Sequence, residues 1–375
     1  MSVAELRACA EEARDWLFNA AAPLWSTRGV LADGMFAEKL TLQGETVHLP
    51  RRIRVQARQI YSFCEAGRLG WQGPWRGAVE PALEQLLKRG RREDGFFVHV
   101  FDDEGQVSDR RADLYDHAFV LFALAHASRA LGRPTLAALT GEIMDVIDAR
   151  WKHPNGGYKE GEVDPFPPRR QNPHMHLFEA ALSLYEITKE ERWHTLAQSL
   201  FELFSAIFLD KGSGALREYF TLDWRLATEP KLRFVEPGHC FEWAWLVHRF
   251  PGADFALADK MLAFARTNGI DPARGIAFYS VELDGAPRDR SARLWAQTER
   301  LKAALARFRR TSEIGEATEA VLAYRGLAKY FETPVRGTWR DRMRPDGSFV
   351  EEDAPASSFY HIICALSELI ETAGA

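Results

Sequence analysis

Asp94-Gly95-Phe96-Phe97, continued by the short extended run Val98 to Asp103 and a second turn at Gly105, is a loop whose kind recurs through the chain. Glycine punctuates local structure, and a glycine turn beside short apolar residues reads as a hairpin-like connection. Related stretches lie at Gly29, Asp33 and Gly34, at Asn155-Gly156-Gly157-Tyr158, at Gly212-Ser213-Gly214-Ala215, at Arg274-Gly275-Ile276-Ala277 and at Arg336-Gly337-Thr338-Trp339. One glycine from each gives 34, 95, 157, 214, 275 and 337, separated by 61, 62, 57, 61 and 62 residues. A recurrence this regular marks an internal repeat whose six units fill nearly the whole chain.

Between the turns lie apolar segments long enough for helices. The first, Val3 to Ala22, alternates apolar and charged residues at helical spacing and ends at Pro23. Later examples are Gln56 to Gly67, Ala78 to Arg89, Tyr115 to Leu131, Met175 to Thr188, Trp193 to Leu209, Cys240 to Phe250, Thr298 to Phe308 and Phe359 to Glu368. Each unit therefore reads as an outer helix, a short hairpin or irregular loop, and an inner helix. The extended pieces are too short and scattered to make the core, so the expected class is all-α. A second series supports this reading: Arg58, His117, His176, His239, Glu299 and His361 fall near inner-helix starts, 59, 59, 63, 60 and 62 residues apart. One polar side chain per unit at an equivalent height suggests a ring closed around a central cavity, although stacked repeats can also stay open. No stretch looks like an interdomain linker, since even Glu282 to Asp289 resembles one of the periodic loops, and the expectation is one domain over 1–375.

Composition narrows the function. The chain has 375 residues, 46% of them apolar, and a formal charge of −5. Arginines cluster at Arg51, Arg52, Arg54 and Arg58 and basic residues again at Lys88, Arg89, Arg91 and Arg92. Without a basic balance or a nucleic-acid motif these read as solvated faces, and no nucleic-acid partner is expected. Cys9, Cys64, Cys240 and Cys364 are scattered, with neither a zinc spacing nor a disulfide framework. Acids and arginines interrupt the segment Ala4 to Leu17, unlike a secretory signal, and no run is long and uncharged enough to span a bilayer. A soluble cytoplasmic protein with no membrane partner is expected.

The stretch Glu236-Pro-Gly-His-Cys-Phe-Glu-Trp-Ala-Trp245 looks chemical as well as structural. A helix starting near His239 puts Glu242 and Trp243 on the same face three and four residues on. An imidazole titrates near neutrality, a carboxylate fixes its tautomer, and an indole packs on a sugar. One unit earlier, Gln171-Asn-Pro-His-Met-His-Leu-Phe-Glu-Ala180 repeats the relation with His176 and Glu179. Ser357 or Ser358 can cap the last helix before His361. Trp295, Gln297 and Glu299 offer a further aromatic platform and acceptors, and Tyr115 and Trp339 are candidate walls. Polar groups with aromatics suit a carbohydrate, although core packing is the commoner duty of each indole. His174 and His176 with Glu179, or His239 with Glu242, are rival metal ligands without a decisive spacing.

The segments Glu236 to Leu246, Asn172 to Ala180, Leu294-Trp-Ala-Gln-Thr-Glu299 and Ser358-Phe-Tyr-His361 resemble the N-acylglucosamine 2-epimerase superfamily, which includes sugar 2-epimerases and mannose isomerases. The resemblance implies an (α/α)6 barrel of six helical hairpins with short β-hairpin loops. It also implies His239 and His361 as the acid/base pair at sugar C1–C2, Glu242 beside the first histidine, His176 at substrate binding and ring opening, and Arg58 at the carbonyl. His117, Tyr115, Trp243, Trp295, Gln297, Glu299 and Trp339 are the expected substrate contacts.

A histidine-mediated exchange through an enediol or enediolate conserves oxidation state, so neither a redox cofactor nor a metal is expected. The sequence has no Gly-rich nucleotide fingerprint. His239 is the expected base at C2 in the aldose direction, with Glu242 orienting it and Arg58 stabilising the developing charge. Overall resemblance, particularly His48-Leu-Pro-Arg-Arg-Ile-Arg-Val-Gln-Ala-Arg-Gln59, points to an isomerase interconverting mannose and fructose. A 2-epimerase on mannose, an N-acylhexosamine or a cellobiose-like sugar, a phosphosugar isomerase, and a noncatalytic carbohydrate-binding protein remain alternatives. The partner is a monosaccharide, and monomer or homodimer is left open.

Overall fold

A computed structural model describes residues 3–165 and 167–374. Its six inner helices are α3 (Ile53–Arg68), α5 (Leu114–Leu131), α7 (Asn172–Thr188), α9 (Pro237–Arg249), α11 (Leu294–Thr311) and α13 (Ser357–Ala373). Each packs on the next, and α13 packs back on α3, closing the ring. The outer layer is α1 (Val3–Trp16) with its continuation α2 (Ala22–Thr27), then α4 (Trp75–Gln85), α6 (Pro134–Trp151), α8 (Glu191–Leu203), α10 (Phe255–Asn268) and α12 (Ile314–Ala328). The fold is an (α/α)6 barrel. The inner helices are apolar through most of their circumference because they touch neighbours on both sides and an outer helix behind.

All six glycines of the periodic series adopt positive φ: 83° at Gly34, 90° at Gly95, 66° at Gly157, 84° at Gly214, 70° at Gly275 and 103° at Gly337. The spacing therefore records a backbone need, since a side chain is strained there. At Gly337 a Cβ would also stand 2.7 Å from the Ala20 carbonyl, where the last turn meets the first outer helix. The extended pieces form only two- and three-stranded sheets among the described residues. One of them joins the chain's ends, with Lys39 opposite both Val47 and Pro355.

Beyond four of these glycines a side chain from the following inner helix holds the turn. The Gln56 amide accepts from Phe36 N at 2.7 Å and donates to its carbonyl at 2.8 Å. Gln297 does the same to Ala277, at 2.7 and 3.0 Å. In the units between, a histidine does half of this: Nε2 of His117 accepts from Phe97 N at 2.9 Å, and Nε2 of His174 accepts from Tyr158 N at 3.0 Å. Their Nδ1 atoms face the carbonyls of Asp113 and Arg170 four residues back, so each ring is a neutral tautomer with both nitrogens used. His117 and Gln297 are thus staples between loop and helix, not the cavity contacts the sequence suggested.

The inner helices start earlier than the apolar pattern indicates. α9 begins at Pro237, with Glu236 in an extended cap conformation, and α7 begins at Asn172 with Pro173 behind it. Proline suits the first turn because that turn's N–H groups have no intrahelical acceptor. Asn172, Trp295 and Ser357 consequently belong to the helices rather than to the loops before them.

Candidate active site

The first two turns of the inner helices surround a hollow of about 330 Å³, which adjoins a second lobe of about 340 Å³ through the shared residues Arg54, Tyr115, Asn172, Glu236 and His239. These volumes fall at the small end of ordinary ligand sites. Positive helix ends converge here, which favours an oxygen that becomes negative.

Three histidines face this space, and in each Nδ1 lies against a carboxylate. His239 is 3.0 Å from Glu218, His361 is 2.9 Å from Glu299, and His176 is 3.1 Å from Glu179. Such a pair fixes the tautomer and ring orientation, leaving Nε2 as the working atom. The electrostatics then separate the three. For His239, burial opposes the charge, but Glu218, Glu236 and the hydrogen bond outweigh it and lift the imidazole to about 10. Its Nε2 is 3.0 Å from the Asn172 amide, whose Oδ1 has no other partner and, on rotation of the amide, is the acceptor an imidazolium requires. His361 goes the other way: burial, then Arg58 and Lys302, hold it well below the usual histidine range. Burial likewise lowers His176 to about 4.

The carboxylates are supported from beneath. Lys302, fully buried, reaches Glu299 at 2.6 Å and lies 3.7 Å above the Trp245 ring. The Tyr360 hydroxyl donates to Glu179 at 2.5 Å. Glu242 has no such partner on Oε1, and burial together with Glu299 and Glu179 raises its carboxyl well above the usual range. Burial raises the Glu299 carboxyl as well, but the Lys302 ammonium opposes it there, so of the two Glu242 holds its proton the more tightly.

Arg58 donates to the Ser357 carbonyl at 3.2 Å and the Tyr115 hydroxyl at 2.6 Å, and lies 4.0 Å above the Phe119 ring. Trp295 stands between the outer histidines, its ring 4.9 Å from His239 and 5.9 Å from His361. Tyr115, His176, His239, Glu242, Trp295, His361 and Arg58 therefore share one hollow.

Other expectations are corrected. Trp243 points away from His239 into the core, stacked on Phe204 at 4.3 Å with its Nε1 donating to Gln171 at 2.6 Å. Trp339 is fully buried between Trp25 and Phe359. Glu242 is not the carboxylate that orients His239. That residue is Glu218, while Glu242 groups with Glu299 and His361, their ligand atoms within 4.8 Å of one another. The sequence reading missed Glu218, Glu236 and Asn172. Asn172 was visible beside Pro173, and Glu218 stands four residues past Gly214, as Glu38 does past Gly34 and Asp341 past Gly337, a recurrence that points to it.

Among the described residues three groups have ligand atoms close enough for a metal: His176, Glu179 and Glu242; Glu218, Glu236 and His239; and Glu242, Glu299 and His361. In each, Nδ1 of the histidine is already hydrogen-bonded to a carboxylate of the group, so an ion there would be taken by Nε2 or by the remaining carboxylate oxygens.

A model of the N-acylglucosamine 2-epimerase family matches residues 34–365. The chain is 40% identical to a mannose-6-phosphate isomerase of Rhizobium meliloti, covering 96% of each, and 30% identical to a D-mannose isomerase of Thermobifida fusca, covering 68% of each. The solved cellobiose 2-epimerase of Spirochaeta thermophila superposes with a TM-score of 0.87 at 21% identity, over 98% of this chain and 97% of that one, a likeness of fold. No helix among the described residues is long and apolar enough to cross a membrane.

Proposed function

We propose, from the premise that the chain belongs to the N-acylglucosamine 2-epimerase family, that it is a sugar isomerase interconverting mannose and fructose through a cis-enediol, without a metal. The observation that carries this reading is a pair of carboxylate-held imidazoles with opposite proton affinities on either side of Trp295.

Their charge states support a reversal of the roles expected from sequence. Neutral His361 is the base: its Nε2 takes the C2 proton of the open aldose, and the C–H electron pair forms the C1–C2 double bond. The carbonyl oxygen gains the displaced charge, neutralised by Arg58 and by a proton from the His239 imidazolium. Return of the first proton to C1, with loss of the O2 proton to His239, gives the ketose, and atoms and electrons balance with no oxidant. His176 moves a proton at the ring oxygen during opening. Delivery at C2 from the opposite face would give the epimer, so products must be identified.

The test is to incubate purified protein with mannose, fructose, glucose and cellobiose, with and without a chelator, and resolve all products. Fructose from mannose, unaffected by chelation, is expected. A solely C2-epimeric aldose rejects the isomerase reading, and loss of activity restored by one ion rejects metal independence. The name of the Rhizobium meliloti relative favours a second reading, in which the same chemistry acts on a phosphorylated hexose.

A further inference from the structure

Glu236 is a carboxylate at the mouth that the fold does not use. It caps α9 by backbone alone, is 9% exposed, and its side chain makes no hydrogen bond or ion pair among the described residues. It lines both lobes of the hollow, beside His239 and Glu218. Burial, against the pull of His239, lifts its carboxyl to about 7.

The mouth's arginines give a complementary picture. Arg52 is held by Glu38 at 2.6 Å, Arg54 by Asp116 at 2.9 Å, Arg293 by Asp341 at 2.7 Å and Arg170 by Glu160 at 3.3 Å. Each positive charge is already matched. Arg58 alone among the lining arginines has no carboxylate, and it sits beside Tyr115 and His361's helix, at the reacting end.

Resting on the isomerase reading above, we propose that Glu236 is the specificity residue of this hollow: its free carboxylate accepts hydrogen bonds from the hydroxyls of an uncharged aldose and turns away a sugar that carries a phosphate. A neutral sugar gives the carboxylate the donors it lacks. A phosphate brings further acceptors and like charge, and of the lining arginines only Arg58, at the reacting end, is without a carboxylate.

The experiment measures binding of mannose and mannose 6-phosphate by calorimetry to the full chain and to Glu236→Gln at about pH 8.5, above the range in which the Glu236 carboxyl holds its proton, with turnover of both sugars alongside. The wild type should bind mannose at least about tenfold more tightly, and Glu236→Gln, an isosteric change, should bring the ratio near unity by weakening mannose and strengthening the phosphosugar. Tighter or equal binding of mannose 6-phosphate by the wild type overturns the proposal, as does an unchanged ratio in a variant of wild-type Tm, or no binding of either sugar. The wild-type comparison alone decides the matter if the variant does not fold. Selective binding of mannose with no conversion of either sugar sinks the isomerase reading and leaves this one standing.

Discussion

The ring of His239 packs 4.9 Å from that of Trp295, tilted by 38°, and the same indole lies 5.9 Å from the ring of His361, at 40°. One apolar plate thus spaces the two histidines and faces the gap between them. Trp295→Ala should lower kcat/KM by about 10²-fold, through lost stacking and through drift of both rings, with Trp295→Phe retaining part. Steady-state kinetics on folded variants check this; equal losses for Phe and Ala would mean the plate is not what matters.

Glu218 and Glu242 should separate cleanly. Glu218 holds His239 at 3.0 Å, whereas Glu242 lies with Glu299 and His361. Glu218→Gln should reduce kcat by about 10²-fold and lower the pH at which His239 loses its proton. Glu242→Gln replaces a carboxyl whose proton burial holds tightly and whose pull on His239 is weaker than that of Glu218, and should move that pH less. A pH profile in which Glu242→Gln, not Glu218→Gln, moves the alkaline limb contradicts the assignment.

The wild-type profile follows from the two imidazoles. His239, raised to about 10, must keep its proton, and His361, depressed by burial, must be free of one. kcat should therefore hold from pH 6.5 to about 9 and fall near 10, with its acid limb below the ordinary histidine range. Stability has its own sign. A folded-state imidazole raised above its unfolded value contributes stability that is full below about 6.5 and lost as pH rises through about 10. Tm should fall over that window, and His239→Gln should flatten the fall.

His174 makes the opposite prediction. Burial, with Arg169 beside it, lowers it to about 3, and its Nε2 must stay unprotonated to accept from Tyr158 N. Its contribution is present above about 6.5 and lost as pH falls toward about 3, amounting to about 2 kcal/mol by pH 5. Gln56 and Gln297 perform the same task with an amide that does not titrate. His174→Gln should fold and be less sensitive to acid in a thermal melt; a variant as acid-sensitive as wild type removes His174 as a cause.

What sequence could reveal followed from what recurs. The glycine spacing was legible because positive φ is a backbone demand that few other residues meet. The polar series was legible only to within two residues. Gln56 and Arg58, like His174 and His176, are staple and wall positions offset by two, and a sixty-residue period does not tell them apart; in the fifth unit Gln297 is the staple and Glu299, two on, stands behind His361 rather than in the wall. In the second unit the staple is His117 and the residue two on is Phe119, which packs beneath Arg58, so an apparent cavity histidine serves the loop. In the fourth, Glu242 takes the wall position and His239 stands three residues before it. Trp243 looked adjacent to His239 on the helix, but Phe178 and Phe204 offered its ring a dry stack and Gln171 an acceptor. Glu236 comes from irregular backbone, where propensity does not indicate which way a carboxylate points, whereas Glu218 shares with Glu38 and Asp341 its offset of four from a turn glycine, a third series that sequence does carry.

The most direct measurement follows the C2–deuterium bond of [2-²H]mannose by NMR in the wild type, His361→Ala and His239→Ala, each first shown to keep the wild-type Tm. The wild type should break the bond as fructose appears, with the label found at C1 or in water. Both variants should lose at least about 10²-fold in that rate, His361→Ala the more severely, since it removes the base itself. Bond cleavage at a near wild-type rate in folded His361→Ala would contradict the account.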